Sequence, residues 1–80
     1  MRAKYIIVEN LGLEMPIVFN PWFAHADIGR AHKVISAGFC SFYVDKDRTV
    51  WETWGESVSM NIKSRREDAT IIGKYLQYDC

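Results

Sequence analysis

His25 and His32 are the two histidines of the chain, and a metal ion or a general base is the first chemistry to ask of them. They stand seven residues apart. On one helix that spacing shares a face but separates the rings by about 10 Å along the axis, whereas chelation by two helical histidines needs a spacing of four. Asp27, between them, points to the opposite side. Structural or solvent-facing imidazoles are therefore expected, and no metal site. Nucleophilic catalysis needs a Ser or Cys held against a His at a sharp, exposed turn. The chain has no GxSxG motif, and Gly55-Glu56-Ser57-Val58-Ser59 lacks the glycine that would close such an elbow. Cys40 lies inside an apolar run, and no glycine-rich loop is present to cradle a phosphate. Neither an enzyme nor a bound cofactor is expected.

A second chemistry is offered by residues 57–68, SVSMNIKSRRED. Drawn as an extended segment, Ser57, Ser59 and Asn61 line one face and lead into a helix N-terminus, where free N–H groups and the helix dipole favour an anion. Arg65 and Arg66 lie beside it. These five residues are the candidate wall for a phosphate or carboxylate ligand. In the competing reading Ser64 satisfies the free N–H groups itself and both arginines are solvated. Asp68 falls within the apolar half of the same helix. Facing the core it needs a donor such as Arg65, Arg48 or a backbone N–H.

The aromatic residues point to recognition by contact. Trp51 and Trp54 alternate to opposite faces of one strand, so one can enter the core while the other stays exposed. Phe39, Tyr43, Trp51 and Trp54 are the candidate interface, on which packing against a second subunit is favoured over stacking on a nucleobase.

The elements that must position these groups centre on residues 33–44, KVISAGFCSFYV, the longest apolar run. Its β-branched and aromatic content reads as a strand covered on both faces, with Gly38 marking a bulge or the close approach of another backbone. KYIIVE (4–9) and MPIVF (15–19) form a hairpin around Asn10-Leu11-Gly12, with Pro16 near a strand start or on an edge. Asn20-Pro21 starts a short helix over 22–31, which Gly29 weakens. Residues 49–54 return from the polar turn 45–48 as a second hairpin, and 57–62 read as a short fifth strand or an extended lead-in. Ser64 and Glu67 fit a capping box for an amphipathic helix over 65–77. Ala69, Ile71, Ile72, Tyr75, Leu76 and Tyr78 share its apolar half. The fold class is α+β in the order β-β-α-β-β-(β)-α: a mainly antiparallel sheet in a single domain, 1–80, packed against the C-terminal helix. The other face is left for the first helix or for a second copy.

Composition narrows the partners. Eighty residues give one core and a modest share of buried surface. Three tryptophans and 14% aromatic residues are much bulk for that core, so part of it is expected at a subunit interface. Ten basic and ten acidic residues balance, which argues against non-specific nucleic-acid binding. No apolar run has transmembrane length, and the first apolar stretch is too short for a signal peptide. Cys40 and Cys80 form neither a disulfide framework nor a zinc motif. A reduced, cytoplasmic protein is the simplest reading.

The tracts VISAGF (34–39) and GESVSM (55–60), followed by Ser64, Arg65 and Asp68, resemble a type of small protein from phages and prophages. The opening KYIIVEN and MPIVFN share the likeness. The resemblance implies a bacterial or phage-infected cytoplasm and an accessory role exercised by binding, such as inhibiting a host enzyme or sequestering a signalling nucleotide. It carries no known functional residue. The leading expectation is a non-enzymatic, homo-oligomeric protein that binds a host protein or an anionic small molecule. The alternatives are an assembly role with no ligand and, behind it, a nucleic-acid-binding accessory.

Overall fold

The computed structural model describes residues 2–76. The period-two pattern at the N-terminus becomes β1 (Arg2–Asn10) and β2 (Leu13–Phe19), joined by a two-residue turn in which Leu11 and Gly12 both have positive φ. A short helix, α1 (His25–Gly29), leads to the long β3 (Lys33–Asp45). The turn Lys46-Asp47, again with two positive φ angles, returns the chain as β4 (Arg48–Trp54). Such turns match the right-handed twist of antiparallel strands. The four strands form one antiparallel sheet in the order β2-β1-β3-β4. Two short strands, β5 (Glu56–Ser57) and β6 (Ile62–Lys63), make a separate pair, and α2 (Asp68–Leu76) ends the described chain. The class is α+β, as expected from the sequence.

Alternate residues of the sheet serve two cores. Tyr5, Ile7 and Cys40 pack with Ile72 of α2, joined by Val18, Trp51, Ile71 and Leu76. On the opposite face Ile6, Val8 and Ala37 pack with Ile17, Phe19 and Val34, covered by Ile28 of α1 and Ile62 of β6. The first helix therefore takes the face left open to it, with help from the β5–β6 pair. Among the described residues no helix is long and apolar enough to cross a membrane.

The central strand differs from expectation in its second half. Ser36, Ala37 and Cys40 are fully buried, but Phe42, Tyr43 and Val44 are 42%, 49% and 69% exposed. The cause is register. Arg2 pairs with Ser41, so the described part of β1 ends there, while β3 runs on with β4 as a two-stranded arm. The fully covered strand is β1, whose Tyr5, Ile6 and Ile7 have no exposure. The bulge lies at Ile35, skipped where Ile7 pairs with Ser36 and Val8 with Val34. Gly38 marks a close approach instead: a Cβ there would stand 2.5 Å from the Trp54 carbonyl oxygen.

Three further boundaries move for local reasons. The Asn20 side chain accepts the Trp22 N–H at 2.9 Å and its carbonyl accepts that of Phe23, closing a turn, so α1 begins only at His25. Residues 57–62 are not one strand, because the Ser57 hydroxyl accepts the Met60 N–H and the chain folds back through Asn61 at positive φ. The capping box at the start of α2 slips by one residue. Ser64 donates instead to the Gly55 carbonyl at 2.8 Å, and the Asp68 carboxylate reaches back to the Arg65 N–H at 2.8 Å. The expected helix end at Gln77, and Tyr78 with it, lies outside the described residues.

Candidate interaction surface

Among the described residues the most densely bonded side chain is Asp68. It is fully buried and accepts four donors: the Tyr5 hydroxyl, the Ser36 hydroxyl at 2.9 Å, the Arg65 N–H at 2.8 Å and Arg65 Nε at 3.0 Å. Arg65 extends further to Glu14 on β2 at 2.7 Å. Its guanidinium is held above its ordinary pKa, chiefly by that bond to Glu14. Burial, and then Asp68, push the Tyr5 hydroxyl far above its usual range. The network ties α2 to β1, β2 and β3. A buried charge with every lone pair engaged is a structural clasp.

This arrangement decides what becomes of the expected anion wall. Asp68 supplies the negative charge at the start of α2, and Arg65 faces three carboxylates: Glu14, Asp68 and, at 3.9 Å, Glu67. Ser57 is buried, with its hydroxyl against Ser59 Oγ at 3.3 Å. Asn61 and Arg66 are exposed on separate turns. Ser57 and Ser59 meet; the five residues do not converge on a common centre.

Two further titratable groups, His25 and Cys40, are buried in the packing. His25, 4% exposed, donates from Nε2 to the Gly38 carbonyl at 2.8 Å, which sets its tautomer. Its ring stands edge-on to Phe19 and Phe39. His32 is exposed in the turn before β3. Burial pushes the Cys40 thiol up to about 11, which leaves it protonated and unreactive near neutral pH. Among the described residues no group of three His, Cys, Asp or Glu side chains is placed to hold a metal ion.

The expected interface residues divide as their strand parity dictates. Phe39 pairs with Trp54, and Tyr43 follows on the same face of β3. The rings of Phe39 and Trp54 stack at 6.3 Å, and the Arg2 guanidinium lies 5.1 Å from the Phe39 centroid. Trp54 is 40% exposed. A hollow beside this stack is lined by Lys4, Phe39, Glu56, Val58 and Ser59. Trp51 lies on the opposite face, against Phe42 and the core beneath α2, with its indole N–H buried and without a partner among the described residues. Phe39 and Trp54 thus stack on one face of the sheet, Tyr43 lies on that face four residues along β3 beyond the Ser41–Glu52 pair, and Trp51 lies behind. Sequence reasoning missed Arg2, and placed Trp22 only among the three tryptophans expected in part at an interface. Trp22 is 92% exposed in the turn after β2, and its place there follows from the Asn20-Pro21 signal.

The chain matches no protein-family model, no curated protein and no solved structure.

Proposed function

We propose that the chain is a non-enzymatic, self-associating binding protein whose recognition surface for another protein is the sheet face carrying Phe39, Tyr43 and Trp54. The observation that carries this reading is the uncovered aromatic half of that face, where α1 and the β5–β6 pair stop short of Tyr43 and Trp54. Flat aromatic rings beside a cation, Arg2, are the groups that concentrate binding energy at protein interfaces. A protein partner is favoured over an anionic small molecule because Arg65 is already neutralised by Glu14 and Asp68. The likeness to small phage and prophage proteins adds an accessory role in a bacterial cytoplasm, with a host protein as the partner.

The test is native mass spectrometry of the protein purified gently from bacterial cytoplasm. The expected result is an assembly of the 9.3 kDa chain carrying a second protein, which is lost in Tyr43→Ala and Trp54→Ala variants that melt as wild type does. An assembly whose mass is a whole multiple of the chain alone, with no second protein, would count against recognition of a partner.

A further inference from the structure

The two outer strands of the sheet are finished differently. Asn10 and Leu13 close a two-residue turn and form a hydrogen-bonded pair, so along β2 the bonded positions are Leu13, Met15, Ile17 and Phe19. Pro16 falls at an outward position, where a missing N–H blunts the edge. On β4 the same alternation, counted from the Asp45–Arg48 pair, turns the N–H and C=O groups of Thr49, Trp51 and Thr53 away from β3. No proline interrupts this edge. A hollow runs between it and α2, lined by Arg48, Thr49 and Trp51 on the strand and by the small residues Ala69, Thr70 and Gly73 on the helix, so the helix leaves the strand accessible.

The sequence of this edge is self-complementary. Arg48 and Glu52 project from one face of β4, and among the described residues neither takes part in an ion pair. If β4 meets a second copy antiparallel with Val50 opposite Val50, Arg48 stands opposite Glu52 of the other copy twice over. Thr49 and Trp51 then exchange main-chain hydrogen bonds with Trp51 and Thr49. Neighbouring registers lose this match: a shift of two residues sets Glu52 against Val50, and a shift of four sets Glu52 against Glu52. Opposite charges directly across a ladder favour pairing and like charges oppose it, so the charges select the Val50-centred register.

We propose that the open edge of β4 is the self-association surface, joining two copies into one continuous eight-stranded antiparallel sheet by the Arg48–Glu52 pairing about Val50. This rests on the self-association proposed above and assigns its mode. The two-fold axis stands perpendicular to the sheet, so both copies present the Phe39, Tyr43 and Trp54 face on the same side. A partner would meet the aromatic groups of both copies on one side of the sheet.

Sedimentation equilibrium of the full chain tests the pairing, with thermal melting as a check on folding. The expected result is a dimer whose dissociation constant rises about tenfold or more in Arg48→Glu and in Glu52→Arg, and returns to near the wild-type value in the charge-swapped double variant. Thr49→Pro, which removes an outward N–H but none of those bonded to β3, is expected to weaken the dimer while the fold persists. A dimer indifferent to all four variants overturns the β4 pairing and leaves self-association standing. A monomer at tens of micromolar overturns both.

Discussion

At the scale of single residues the molecule turns on Asp68. Its place on the apolar half of its helix is readable from a helical wheel, and the need for a donor follows from the cost of burying a carboxylate. Arg65 is three residues away and was legible as that donor. Tyr5 and Ser36 were not, because they meet Asp68 only after β1 and β3 pair and α2 docks across them. The anion wall failed to form for the same reason. A sequence shows that Arg65 is near a helix start, but not that Glu14, on a strand fifty-one residues earlier, will claim it. Removing the carboxylate leaves several buried donors without an acceptor, so Asp68→Ala is expected to cost roughly 3–5 kcal/mol in denaturant unfolding. Tyr5→Phe deletes one donor and should cost about 1–2 kcal/mol. Equal, small losses in the two variants would show that the carboxylate is not the hub of the network.

At the scale of elements the strands were legible and the helix starts were not. Alternation of apolar residues and two polar turns leave little freedom in β1, β2, β3 and β4. Helix starts are decided by competition among nearby side chains that can each satisfy a backbone N–H. Ser64 bonds to Gly55 and yields the role to Asp68, and Ser57 uses its hydroxyl to turn the chain where alternation alone reads as a strand. Gly38 shows how one residue fixes the meeting of elements. The peptide after Trp54 crosses β3 so closely that a Cβ at position 38 would stand 2.5 Å from the Trp54 carbonyl oxygen and 3.1 Å from Ser64 Cβ. Gly38→Ala must therefore push β4's exit, and the β5–β6 pair behind it, off the sheet. The expected loss is about 1–3 kcal/mol, with earlier amide exchange at Gly55 and Ser64 than at Tyr5. A variant as stable as wild type would mean that this crossing gives way freely.

At the scale of the whole molecule the two edges of the sheet are finished differently. No apolar pattern foretold that β3 would outrun the described part of β1, because the length of a strand's cover depends on its neighbours rather than on its own sequence. Pro16 was legible as an edge residue. Its consequence emerges only when the other edge is seen to lack any such device. Under the proposed β4 pairing, a sheet blunted at β2 and open at β4 would close as a pair of copies, since each added copy brings one usable edge and one blocked edge. Replacing Pro16 with Val restores an N–H at an outward position of β2 without disturbing the bonds to β1, which are made at Met15 and Ile17. Both edges are then open and nothing ends the growth of the sheet. Pro16→Val is expected to turn a discrete assembly into a concentration-dependent series of larger ones, seen as light scattering that climbs with concentration at unchanged melting temperature. Combining Pro16→Val with Arg48→Glu should return the scattering towards that of small species, because β2 edges alone join copies only in pairs. Scattering that stays at the wild-type level in Pro16→Val would mean that β2 is closed to pairing by its twist or its side chains, and that the proline is not what ends the sheet.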